Sequence, residues 1–122
     1  MASFKQGDDY KLSVLVSVSP AVDFSTATEI HAILFVGSEE LTKYSLIDKE
    51  GYGKLEVGSS NNIVDIYIER AESKDFKAGQ LSVNIQAVFE NVDFPDGFET
   101  KNYDVNNTVR VLAGRALDNE IP

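Results

Sequence analysis

Apolar and polar residues alternate with a period of two over most of the chain, in short stretches separated by turn signals. Tyr10 to Val18 puts Leu12, Val14, Val16 and Val18 on one face and Lys11, Ser13 and Ser17 on the other, which predicts an antiparallel strand wet on its outer side. Glu29 to Val36 is apolar in both registers, with Ile30, Ala32, Leu34 and Val36 in one and Ile33 and Phe35 in the other. Such a strand is either central and covered by a loop, or its outer face meets another subunit. Leu41 to Ile47 gives a short, weakly specified strand, and Lys54 to Val57 a brief edge strand carrying Lys54 and Glu56.

The stretch from Ile63 to Phe89 organises the rest. Val64, Ile66 and Ile68 alternate with Asp65, Tyr67 and Glu69, and Leu81, Val83, Ile85, Ala87 and Phe89 repeat the pattern further on. Between them AESKDFKAG is too charged for a sheet interior; it predicts one helical turn ending at Gly79, with Phe76 plugging the open end of a β core. The last strand runs from Lys101 to Leu112, with Tyr103, Val105, Val109 and Val111 in one register. Pro20, the DKEGYG and GSSNN segments, and Pro95-Asp96-Gly97 mark the turns. Six or seven short strands with one helical turn predict an all-β fold, an antiparallel β-sandwich with a small barrel as the rival. The expected division is an arm over 1–9, a single domain over 10–112 and an extended tail over 113–122.

A chain of 122 residues with 43% apolar residues suffices for one core of its own. No run approaches the 18 apolar residues of a membrane-spanning helix, and the first residues hold no apolar signal segment, so a cytoplasmically made protein without a membrane partner is expected. Without cysteine, disulfides and thiolate metal sites are excluded. A net charge of −9, with lysines and arginines scattered singly, argues against direct nucleic-acid binding and for a soluble surface.

Candidate chemistry is sparse, and no cofactor is expected. His31 is the single histidine, and no GxSxG-type motif accompanies it to support a small hydrolase. Asn91, Asp93 and Asp96 before Gly97 suggest a calcium loop, but their spacing departs from the EF-hand pattern and a proline interrupts it; a turn explains the same residues. The pairs Asp8 and Asp9, and Glu39 and Glu40, define no acid and base separation. Asn106-Asn107-Thr108 is a glycosylation sequon placed inside a predicted strand. Phe94 and Phe98 stand out, because a hairpin tip is ordinarily polar and aromatics anchor protein interfaces. They are either partner-binding residues or fold back over the core. Ile33 and Phe35 are the second candidate pair, as a covered sheet face or an oligomer interface. A lectin-like platform would draw on Tyr52 or Tyr103.

Three segments carry a resemblance: GDDYKLSVLVSV (Gly7 to Val18), VDFSTATEI (Val22 to Ile30) and DFKAGQLSVNI (Asp75 to Ile85). Their order and type resemble the immunoglobulin-like β-sandwich modules of tailed-phage virion proteins, including the N-terminal domains of baseplate upper proteins and related tail and head fibre proteins. The resemblance covers roughly residues 7 to 112. It implies an immunoglobulin-like sandwich of about seven strands and a non-enzymatic virion component: a capsid accessory or head-fibre attachment protein, or a tail or baseplate adaptor. The implied partners are capsid, fibre or tail subunits, with homo-oligomers a further option, and the implied location is the virion, after synthesis in the host bacterial cytoplasm. The family's fibre proteins continue into a long fibre or receptor-binding region, whereas a free-standing component is expected here. A carbohydrate- or ligand-binding β-sandwich is the alternative of a different class.

Overall fold

The alternating stretches become eight strands: β1 (Ser3–Lys5), β2 (Tyr10–Leu15), β3 (Glu29–Val36), β4 (Glu39–Ser45), β5 (Gly53–Val57), β6 (Ile63–Ile68), β7 (Gly79–Glu90) and β8 (Phe98–Leu112). A 3₁₀ turn at Phe24–Thr26 and a one-turn helix, α1 (Arg70–Ser73), complete the elements. The structure, a computed structural model, describes residues 2–114, the side chains of Asn107 and Thr108 excepted. Of the expected tail, residues 115–122 lie outside the described residues. The fold is all-β.

Hydrogen bonding runs without a break in the order β1-β8-β7-β3-β4-β5-β6-β2. All neighbours are antiparallel except β1 with β8 and β4 with β5. The β4–β5 junction is the weakest join, registering only Tyr44 with Gly53 and Ser45 with Lys54. Gly53 permits it, since a Cβ there would stand 2.6 Å from two carbons of the Tyr44 ring. The sheet curls until its two outermost strands approach each other, Phe4 of β1 stacking on Tyr10 of β2 at 4.7 Å between ring centres. The result is close to a barrel around one core. Leu12, Val14, Leu55, Val64, Ile66 and Ile68 fill it from one side, and Ile30, Ala32, Leu34, Leu81, Val83, Ile85, Val109 and Val111 from the other.

The 1–9 arm is corrected. Its middle is β1, a parallel strand on β8 that buries Phe4, and a lone apolar residue among polar ones left no periodicity to read. The strand from Tyr10 ends at Leu15 rather than Val18, although Val16 stays buried and its N–H reaches the Asn62 carbonyl at 2.9 Å. β4 lies two residues earlier than expected, because the turn takes only residues 37 and 38 and pairing with β3 begins at Glu39, and Ile47 lies outside the sheet. β8 begins three residues earlier, at Phe98. The polar row of β6 also differs. Asp65 is buried, its carboxylate accepting from the Ser13 hydroxyl at 2.6 Å and lying 3.5 Å from Lys11 Nζ. Those partners come from another strand, so the β6 segment by itself gave no sign of them.

The directions of the strands divide the loops between two ends. At one end residues 6–9, the β3–β4 turn and residues 69–78 come together, and this end is closed. Phe76 is buried there as expected and packs edge-on against Phe4 at 6.5 Å. The Ser73 hydroxyl, fully buried, donates to the Asp8 carbonyl and accepts from the Gly7 N–H, while the Gln6 amide donates to the Phe76 carbonyl at 2.7 Å. Asp9 accepts from the Arg70 N–H at 2.7 Å in the first turn of α1, where Glu69 and Glu72 form a capping box, and Asp8 accepts from the Lys5 N–H. Both aspartates thus hold backbone N–H groups at this end.

Candidate functional site

The opposite end collects residues 16–28, 46–52, 58–62 and 91–97. β3 and β8 start there, and β2, β4 and β7 stop there. Backbone hydrogen bonds tie these loops to the sheet: Thr28 N–H to the Val88 carbonyl at 2.8 Å, Leu46 N–H to Ile30 at 2.9 Å, and Phe24 N–H to Asn61 at 2.7 Å. Phe24 is fully buried and meets Tyr103 edge-on at 5.8 Å. Asp23 holds the 3₁₀ turn by accepting from the Ser25 N–H at 3.0 Å.

All six large hydrophobic side chains that the described residues leave exposed belong to this end: Leu15, Val18, Ile47, Val92, Phe94 and Phe98. Val92 is 94% exposed, Phe94 43% and Phe98 44%, so the aromatic pair neither folds fully over the core nor stands free of it. Among the described residues the closed end exposes none. Isolated exposed hydrophobics are ordinary, but gathering them at one end of a small domain is the pattern of an interaction surface.

The hairpin tip is closed by its own hydrogen bonds. Asn91 N–H donates to the Gly97 carbonyl at 2.8 Å and Gly97 N–H to the Phe94 carbonyl at 2.9 Å. Asn91 Oδ1 accepts from the Asp93 N–H at 3.0 Å, and Asp96 Oδ1 from the Phe98 N–H at 3.0 Å. Gly97 takes a φ of 81°, a left-handed conformation that closes the turn. Of the residues considered for calcium, Asn91 and Asp96 thus each give a side-chain oxygen to building the turn. A preorganised loop loses little entropy on docking, which favours affinity. Glu90, Asp93, Asp96 and Glu99 rim the tip, Glu99 lying 4.0 Å from Lys101 Nζ.

A groove of about 470 Å³ opens beside this end, lined by Leu15, Val16 and Val18 on one wall and Tyr103 and Val105 on the other. It follows from the short reach of β1. β1 registers only on Arg110 to Leu112, so among the described residues nothing pairs with the outer edge of β8 before that point. The pairing of β7 with β8 also shifts between Leu81 and Val83, giving β8 a bulge that holds the backbone of the Asn106 sequon. Bulges and edge charges such as Glu99, Lys101 and Asp104 discourage uncontrolled strand pairing.

Ile33 and Phe35 lie half-buried on the outer face of β3, in a row with His31. His31 contacts Tyr52 edge-on at 5.7 Å, and Lys49 Nζ stands 4.8 Å from the Tyr52 ring centre. Ser45, across from His31, is buried and accepts from the Ile47 N–H at 3.2 Å. Tyr103 is half-buried, its ring edge-on to Phe24, and it lines the groove. Phe94 and Phe98 were legible as aromatics in a turn, whereas Leu15, Val18, Ile47 and Val92 join them only through topology. Among the described residues no cluster of three or more metal-ligating side chains is present. Comparison with known proteins adds no family: no family model matches the chain, and no curated protein and no solved structure does so either.

Proposed function

We propose that this protein is a non-enzymatic structural component of a tailed-phage virion, a capsid accessory or head-fibre attachment protein that acts by docking its apolar end on other virion subunits. The observation that carries the docking is the gathering of Leu15, Val18, Ile47, Val92, Phe94 and Phe98 at one end, opposite an end closed by Phe4, Phe76 and α1. Aromatic anchors on a preformed loop supply affinity without chemistry. The virion assignment draws on the segments GDDYKLSVLVSV, VDFSTATEI and DFKAGQLSVNI. In this chain their residues form the closed end, the 3₁₀ turn and the plug.

The immunoglobulin-like sandwich belongs to the same proposal. β2-β6-β5 facing β4-β3-β7-β8 repeats the B-E-D and C′-C-F-G order of that sandwich, and the two-residue β4–β5 join is a slender seam between two such sheets. A tail or baseplate adaptor uses the same surface at lower copy number. The ligand-binding alternative rests on Tyr52, half-buried among His31 and lysines on an outer face.

Counting this chain against the major shell subunit in purified virions, by quantitative mass spectrometry, tests the assignment. A ratio near that of the shell protein identifies a capsid accessory, and a few copies per particle an attachment protein or adaptor. Particles that lack the chain altogether overturn the virion reading and favour the ligand-binding one.

A further inference from the structure

The hairpin tip directly precedes β8 and the groove lies along it, on either side of Thr100, and the edge of the strand between them is open. Which backbone groups line that edge follows from the hydrogen bonds around it. Asn91 N–H donates to the Gly97 carbonyl, which therefore faces β7, and Val88, opposite Thr100, gives its carbonyl to Thr28 on the far side of β7. Alternation then turns the backbone groups of Glu99 and Lys101 toward β7 and those of Phe98, Thr100 and Asn102 outward. The Phe98 N–H agrees, since Asp96 Oδ1 in the tip accepts it. Among the described residues no strand lies beside the others, because β1 reaches β8 only at Arg110.

The charges of this edge fit a second copy of itself in one register. When two β8 edges pair antiparallel, opposed side chains share a face, so the two-fold axis passes through a residue. An axis through Glu99 or Lys101 sets that charge against its own kind. An axis through Thr100 sets Glu99 of each copy opposite Lys101 of the other, in non-hydrogen-bonded pairs where side chains are closest. Within one chain Lys101 Nζ lies 4.0 Å from Glu99, a loose surface contact that contributes little in water and leaves both available. The same axis matches the apolar features. The β8 wall of the groove begins at Asn102, two residues after Thr100, and the tip ends at Gly97, three residues before it. Each tip, with Phe94, thus falls beside the other copy's groove, where Leu15, Val18, Tyr103 and Val105 stand.

We infer that β8 of one copy pairs antiparallel with β8 of a second copy about a two-fold axis at Thr100. Thr100 of each copy exchanges backbone hydrogen bonds with Thr100 of the other, and Asn102 donates to the Phe98 carbonyl. The inference does not rest on the virion reading: part of the docking end is covered by a second copy while the protein is free. The register also brings Asp96 toward Asp104 of the other copy. Each of these carboxylates already accepts a bond within its own chain, from the Phe98 N–H and the Asn84 amide, which limits the repulsion. The charge of −9 on each copy is screened beyond about 8 Å at physiological ionic strength. A few backbone bonds and surface ion pairs make the dimer weak and reversible.

Sedimentation velocity at physiological ionic strength over a concentration series tests this with the protein alone. Wild type passes from monomer to dimer as concentration rises and goes no further, because a two-fold contact closes on itself. Lys101→Glu sets like charges across the pair and weakens association by roughly tenfold or more. Exchanging the charges in Glu99→Lys/Lys101→Glu restores it. Thr100→Pro removes an N–H that β7 does not use, a change an edge strand tolerates, and abolishes the dimer. Circular dichroism melting near that of wild type verifies the folds. A wild type that stays monomeric up to its solubility limit, a Lys101→Glu protein that dimerises as wild type does, or a charge exchange that fails to restore the dimer overturns the inference. None of these results alters the copy number in virions, so the two readings fail separately.

Discussion

At the scale of single residues, Tyr44 and Tyr67 are held by carboxylates in different settings. Tyr44 is fully buried and its hydroxyl donates to Glu72 at 3.0 Å; burial, and then the Glu72 charge, push its pKa far above the usual phenol value. Tyr67 donates to Glu56, and that hydrogen bond, with lesser contributions from burial and charge, pushes it up to about 12. In both cases folding favours the protonated phenol. The stabilisation is therefore complete below pH about 10, where an unfolded tyrosine ionises, and is lost as pH rises through the folded values. Ultraviolet titration of tyrosinate should show one phenol ionising near pH 12 and Tyr44 ionising only as the protein unfolds. A fully normal titration of all five tyrosines in the folded state would contradict these contacts. Asp65 teaches the complementary lesson: its alternation in β6 reads as solvent-facing, yet Ser13 and Lys11 cover it from β2. Cross-strand partners decide burial, and sequence spacing does not display them.

At the scale of elements, legibility followed the strength of the periodic signal. β3 was read with its observed bounds because an apolar run of strand length stands between turn signals, and Phe76 was readable as a plug because it is the one large apolar residue in a charged stretch. β1 escaped because three residues carry no period, and its existence depends on a parallel partner more than a hundred residues away. Its importance is testable. Phe4 is 4% exposed and touches both Tyr10 and Phe76, so Phe4→Ala should cost about 3–5 kcal/mol in denaturant unfolding. A loss under about 1 kcal/mol, the range of surface substitutions, would show that β1 adds nothing to the core. The hairpin of β7 and β8 was also anticipated, and its tip chemistry was visible in Phe94 and Phe98. The bulge near Asn106 was not, since a change of register leaves no mark in composition.

At the scale of the whole molecule, the two ends of the sheet differ in surface character. One end is closed by aromatic packing and by bonds from residues 6–9 to α1 and Phe76. The other is left apolar, with its hairpin fixed by Asn91 and Asp96. Val18 and Ile47 follow a strand-like pattern that reads as core, and only the early ends of β2 and β4 place them outside. A polarised domain of this kind suits repeated attachment, where modest interfaces gain strength from many copies.

Whether the apolar end carries the docking is decided by competition between wild type and Phe94→Ser/Phe98→Ser for the same particles. Both forms are supplied in equal amounts during assembly, and their ratio in purified virions is read by mass spectrometry. The account predicts wild type enriched by about tenfold or more, as for the loss of two interface anchors, with the variant still melting as a folded protein. Equal incorporation of the two would contradict it.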